Sequence, residues 1–109
     1  MGRNNAEFNG YQVNYQGLTD SHQYGNGTPM HHFTATKNGA EVGFALFEPS
    51  GTLDTMMIDP EHQRKGIGTA IWNAAKTMGL KVAHSSIRTP AGDKFAKAMG
   101  GYRPRNEYQ

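Results

Sequence analysis

The chain has 109 residues, with 11 Lys or Arg against nine Asp or Glu and 36% hydrophobic residues, which allows one domain around one core and leaves no room for a second. It has no cysteine, so disulfides, thiolate metal sites and cysteine nucleophiles are excluded. No apolar run approaches the ~20 residues of a membrane span, and the polar opening Met1-Gly2-Arg3-Asn4-Asn5 lacks a signal-peptide core, so the expectation is a cytoplasmic protein that does not engage a membrane.

Residues 1–10 are rich in Asn and Gly and have no period, which reads as a mobile arm or an edge segment. Tyr11, Val13 and Tyr15 then alternate with Gln12, Asn14 and Gln16, the pattern of a half-exposed first strand. Thr19 to Thr28, containing Gly25-Asn26-Gly27, is a loop. A second strand runs from Met30 to Lys37 into Asn38-Gly39, the strongest two-residue hairpin signal, and Glu41 to Glu48 returns as a third. Pro49-Ser50-Gly51 turns the chain into a fourth strand, Thr52 to Ile58. Beyond it, Ile67, Ile71, Ala74, Ala75 and Met78 share one helical face, and Gly79 supplies the stop. Trp72 sits one position off that face, where packing is favoured over a place in an interface. Lys81 to Ile87 reads as a fifth strand. Pro90 to Met99 reads as a second helix, with Thr89 as N-cap, Pro90 at the first helical position and Gly100-Gly101 as terminator. The remainder from Tyr102 is a short strand or a tail. The whole is one domain of the α/β class with the order β-β-β-β-α-β-α on a mixed, mostly antiparallel sheet.

The most informative stretch is Ile58-Asp59-Pro60-Glu61-His62-Gln63-Arg64-Lys65-Gly66-Ile67-Gly68-Thr69, which joins an apolar strand to an amphipathic helix through a basic, glycine-containing turn. The first amides of a helix have no intrahelical partner and the helix dipole is positive there, so the N–H groups of Arg64 to Thr69 can converge on an anion such as a pyrophosphate. Gln63-x-x-Gly66-x-Gly68, preceded by strand residues and Ile58-x-Pro60, resembles the acetyl-CoA signature of the GNAT N-acetyltransferases. The resemblance extends over roughly Met30 to Tyr102 and is strongest from Thr52 to Gly79. In overall size, and from His84-Ser85-Ser86-Ile87-Arg88-Thr89 to Gly100-Gly101, the chain is also similar to small GNAT-like proteins of bacteriophages, which would place it in a host cytoplasm.

That resemblance implies a GNAT-like sheet with a reduced N-terminal helical region, because the family commonly carries a helical pair where this chain has only Leu18 to Pro29. The acceptor side is then left open to a macromolecule or to a partner subunit such as a second copy of the chain. It also implies acetyl-CoA as acyl donor. The amides of Arg64, Lys65, Gly66, Ile67, Gly68 and Thr69 would hold the pyrophosphate, Gln63 belongs to the same signature, and Ile58 would pair its backbone with the pantetheine arm. Val82 and Ala83 would line the arm's other side.

Acetyl transfer to a primary amine needs a base for the ammonium and a proton for the leaving thiolate. Asp54 shares strand parity with Ile58, and it either enters the cleft or rides a solvated sheet face. His84 occupies a place where some family members carry a catalytic carboxylate; the competing reading is a hydrogen-bonded histidine at a strand end. Glu48 reads as exposed charge. The tyrosine that often protonates the thiolate, four residues before the glycine ending the second helix, is here Ala96, so Ser85, Ser86, Tyr102 or water would have to serve. His31 and His32 are adjacent on a strand and point to opposite faces, and His22 and His62 lie in loops. No metal-ligand spacing stands out.

Residues 1–59 hold two basic and six acidic side chains, and residues 60–109 hold nine basic and three acidic. A basic second half suits a polyanionic cofactor, and an acidic first half suits an amine acceptor whose identity stays open. Two other readings remain: a CoA-binding or protein-interaction module that has lost catalysis, and a nucleic-acid-directed acyltransferase or plain binder. Nucleic acid is disfavoured because the cations are spread singly and not clustered.

Overall fold

The computed structural model describes residues 5–20, 29–84 and 90–100. Five antiparallel strands lie side by side in chain order: β1 (Asn5–Phe8), β2 (Tyr11–Asp20), β3 (Pro29–Lys37), β4 (Ala40–Phe47) and β5 (Leu53–Ile58). A 3-10 turn at Pro60–His62 leads into helix α1 (Ile67–Met78), and helix α2 (Pro90–Met99) closes the described chain. Only residues 21–28 separate β2 from β3, too few for a pair of helices, so the N-terminal helical region is reduced as expected.

Two hairpins share one chemistry. Asn38 (φ 52°) and Gly39 (φ 84°) both occupy the left-handed region, as a two-residue type I′ turn requires, and Lys37 pairs with Ala40 across it. Asn9 (φ 50°) and Gly10 (φ 84°) repeat that geometry between Phe8 and Tyr11. Of the two readings of residues 1–10, the arm is therefore replaced over residues 5–10 by an edge strand and its turn.

The strand expected over Lys81 to Ile87 is much shorter where it is described. Thr52 and Ala83 form an isolated parallel bridge, with Leu53 N–H donating to Ala83 O at 2.8 Å and Ala83 N–H donating to Gly51 O at 3.2 Å. Residues 85–87 lie outside the described residues. Beyond Leu53, no strand among the described residues pairs with the outer edge of β5. Because the bridge sits at the start of β5, Ala83 and its neighbour Val82 lie at the opposite end of that strand from Ile58 and do not face it across an arm.

The core lies between one sheet face and α1. Tyr11, Val13, Phe33, Ala35, Ala45 and Phe47 from the sheet meet Ile67, Ile71, Trp72 and Ala75 from the helix, all buried. The spacing 67, 71, 75 keeps three of these on one helical stripe. Gly79 (φ 102°) ends the helix with its N–H directed to the Ala75 and Lys76 carbonyls. Trp72 proves to be core: it is 2% exposed, with ring centroids 6.2 Å from Phe47, 5.8 Å from Phe95 and 4.2 Å from His84. Among the described residues, no helix is long and apolar enough to cross a membrane.

Ile71 is fully buried at the centre of this contact. Ile71→Ala is expected to lower the unfolding free energy by about 2–5 kcal/mol, read from urea denaturation; a change below about 1 kcal/mol would mean that α1 is not seated as described.

Candidate functional site

The turn between β5 and α1 is built by backbone and side chain together. Asp59 N–H donates to Val42 O, His62 N–H to Asp59 O, and Gln63 N–H to Pro60 O. The Gln63 side chain closes the turn from above, its Nε2 donating to Ile58 O at 2.9 Å. Gln63 thus braces the turn, and the Ile58 carbonyl is already engaged. Arg64 (φ 62°) and Gly66 (φ 85°) both adopt left-handed backbone. For Arg64 that conformation carries strain of order 1–2 kcal/mol, the kind of strain that concentrates at ligand sites. Alternation of left- and right-handed residues turns successive N–H groups into a concave row that suits an anion.

That row is free. The first helical amide to be engaged is Ala70, which donates to Gly66 O at 3.0 Å, and Gly66 caps the helix with no side-chain hydrogen bond. The amides of Ile67, Gly68 and Thr69 therefore stand at the positive end of the α1 dipole without intrahelical partners, flanked by the exposed side chains of Arg64 and Lys65. First-turn acidic residues, which would oppose an anion, are absent from α1.

The two glycines have different physical reasons. At Gly66 a Cβ would come within 2.8 Å of the Phe8 ring, on a backbone conformation that side chains already disfavour. At Gly68 the backbone is helical, but a Cβ would lie 3.1 Å from Met56 Sδ and 3.3 Å from Phe95 Cε1. Gly68 therefore lets the first turn of α1 close on β5 and α2. Its closeness is to protein, whatever it also allows a ligand.

The candidate acid–base residues do not form one cluster. Asp54 is exposed and sits where the β4–β5 register shifts, since Leu46 pairs with Thr55 and Phe47 with Leu53. Strand parity with Ile58 is thus broken at Asp54 by the bulge, and its carboxylate accepts a 2.8 Å hydrogen bond from Thr55 Oγ1. His84 is 2% exposed, stacked on Trp72 with an interplanar angle of 7°, and its Nε2 lies 2.8 Å from Gly100 O. The imidazole donates there and ties the chain after the bridge to the end of α2, which is the structural reading of this residue. Ala96 is 0% exposed and Gly100 N–H donates to its carbonyl, so this position presents no hydroxyl to any cleft. Ser85, Ser86, Thr89, Tyr102 and His22 lie outside the described residues. No group of three or more His, Asp or Glu among the described residues could hold a metal ion.

Two hydrogen-bonded Tyr–His pairs were not legible as pairs in the sequence. Tyr11 Oη lies 2.8 Å from His62 Nδ1 and ties the β1–β2 hairpin to the turn. Tyr15 Oη lies 2.8 Å from His31 Nδ1 at the other end of the same sheet face, beside the bulge between Tyr15 and Gly17. Cross-strand register brings Tyr15 to His31, and packing of the 3-10 turn against β2 brings His62 to Tyr11; neither is encoded by residues close in sequence. Burial pushes the His31 pKa below its ordinary value.

A family model described as an acetyltransferase (GNAT) domain matches residues 28–100, more than half of the chain and all of β3 to α2. No curated protein and no solved structure matches the chain.

Because the folded state holds His31 less readily protonated than the unfolded chain does, the unfolded state binds more protons on acidification. The stability associated with neutral His31 is present above about pH 6.5 and is lost as pH falls below it. Urea midpoints measured at about pH 7.5 and about pH 5 should fall further for the unaltered chain than for His31→Gln; equal falls would refute the linkage. Arg64→Gly should relieve the left-handed strain and raise stability by up to about 1 kcal/mol, measured by thermal melting; a loss of stability would show that the turn is not held in this conformation.

Proposed function

The chain belongs to the acetyltransferase (GNAT) family, and from that membership we propose that it is an N-acetyltransferase moving acetyl from acetyl-CoA to a primary amine, on a small molecule or a protein. The observation that carries this reading is the row of amides at the start of α1, set beside the outer edge of β5, which beyond Leu53 has no partner among the described residues. In the proposed complex the amides of Arg64 to Thr69 take the pyrophosphate, with Arg64 and Lys65 as nearby charge. The pantetheine arm would lie along the β5 edge from Ile58 toward Asp54, adding its amides to a strand edge that has no neighbour there among the described residues. Ile58 contributes through this end of the strand, although its carbonyl is shared with Gln63.

That edge runs for four residue steps, about 13 Å at ~3.3 Å each, and Asp54 stands at its far end in a bulge. Bulges re-aim side chains beside active sites, which supports Asp54 over His84 as the group that accepts the proton of the acceptor ammonium, directly or through one water. Bound acetyl-CoA would supply the activated acyl group: the neutral amine would form the amide C–N bond as the C–S bond breaks, and the second proton of the nitrogen would end on the departing thiolate sulfur. Orientation by the two ends of the cofactor supplies much of the rate. His84 acts through architecture, fixing the end of α2 against Trp72. Ser86 remains a candidate proton source for the thiolate, with water as the other.

A second reading, a CoA-binding or protein-interaction module without turnover, is favoured by the buried Ala96 and by the commitment of His84 to Gly100. The two readings share the cofactor site and differ in chemistry.

Calorimetric titration with acetyl-CoA and with desulfo-CoA is expected to show micromolar binding that Gly66→Leu loses. No binding by the unaltered chain would sink both readings. Asp54→Asn should lower kcat by about 100-fold with cofactor affinity unchanged, whereas His84→Ala should mainly lower the melting temperature. Turnover that Asp54→Asn does not alter would remove this residue as the base.

A further inference from the structure

Two hairpin turns, Asn9-Gly10 and Asn38-Gly39, lie beside the anion-binding turn at residues 59–66: the Phe8 ring touches Gly66, and Lys37 Nζ reaches Gly10. They bring together an aromatic ring and a cation that acyl transfer does not need. Phe8, the last residue of β1, lays the edge of its ring against Gly66 and still leaves 36% of its surface exposed. Lys37, the last residue of β3, holds Nζ 4.7 Å from the centre of the Tyr11 ring and makes no ion pair among the described residues. Tyr11 is itself anchored to the turn through His62, so the ring and the ammonium both lie on the side of the sheet that carries the turn.

A ring that served only to pin the hairpin would be expected in the core. Tyr11, 3% exposed, already does that from the adjacent position. Phe8 instead presents apolar surface to water immediately next to a site for phosphate. An exposed aromatic ring offers a face on which a nucleobase can stack, and an unpaired ammonium held nearby offers a charge-assisted hydrogen bond to a phosphate oxygen. CoA carries an adenine and a ribose phosphate at the end of its diphosphate. We infer that the β1–β2 hairpin is the subsite for that nucleotide end: Phe8 stacks with the adenine and Lys37 pairs with the ribose 3′-phosphate. This rests on the acyl-CoA reading above and makes these two residues determinants of full-length CoA over truncated thiols.

The test compares three ligands, CoA, dephospho-CoA and 4′-phosphopantetheine, by calorimetry on the unaltered chain, Phe8→Leu and Lys37→Met. Phe8→Leu should weaken CoA by about tenfold and leave phosphopantetheine unchanged, an internal control against a turn that has lost its shape. Lys37→Met should weaken CoA by about threefold and leave dephospho-CoA unchanged. Equal weakening of CoA and phosphopantetheine in Phe8→Leu, or no weakening of either, would overturn the inference. So would an unaltered chain that binds CoA no more tightly than phosphopantetheine; in that case the acyl-CoA reading itself survives. If none of the three ligands binds the unaltered chain, that reading fails and the inference falls with it.

Discussion

Helix α1 crosses the sheet at a distance set by what is missing from its first turn. With hydrogen in place of a side chain at Gly66 and Gly68, the helix start can lie against Phe8 on one side and against Met56 and Phe95 on the other. Ile67, Ile71 and Ala75 then reach Tyr11, Val13, Phe33 and Phe47 in a common core. Burial of a large aliphatic or aromatic side chain is worth ~1.5–3 kcal/mol, so this contact is a major source of the domain's stability. It also orients the free amides, because the direction of a helix axis fixes where its first N–H groups point. Stability and anion binding therefore draw on the same two glycines.

The rest of the molecule braces that seat. Gln63 closes the turn onto Ile58 O, Tyr11 holds His62, and Gly79 stops the helix so that the chain can return to Gly51 and Leu53. Trp72, His84 and Phe95 form one aromatic cluster between α1, the returning chain and α2, with His84 stacked on Trp72 and Phe95 edge-on to both. This stack explains why His84 is not presented to solvent, and it makes the position of α2 depend on the same helix that carries the anion turn.

What could be read from sequence was whatever is encoded locally. The Asn38-Gly39 hairpin, the stripe of α1 and its glycine stop depend on residues close in sequence, and all are found. Asn9-Gly10 carries the same hairpin code as Asn38-Gly39 but is flanked by only four strand residues, Asn5–Phe8, too short a run to alternate convincingly. The fate of Lys81 to Ala83 turned on long-range pairing, which a run of apolar residues does not specify. Asp54 shows the limit most clearly: parity counted from Ile58 assumes a regular strand, and the register shift against Leu46 and Phe47 is invisible until the neighbouring strand is known. His84 was read as either catalytic or structural because burial and ring stacking are tertiary facts. The anion turn itself was legible because glycine positions, a preceding strand and a following helix are consecutive in the chain.

Beyond Leu53 the outer edge of β5 is open among the described residues, which has a consequence for how the polypeptide survives in a crowded solution. A strand whose outer N–H and C=O groups have no partner is a template for another chain, and Thr55-Met56-Met57-Ile58 is apolar enough to adhere, with Met57 58% exposed. Asp54 and Asp59 stand immediately before and after that run, where like charges repel an incoming copy of the same strand. Whatever else these carboxylates do, their placement disfavours self-association through this edge, and a ligand laid along it would cover the same backbone groups for as long as it stayed bound.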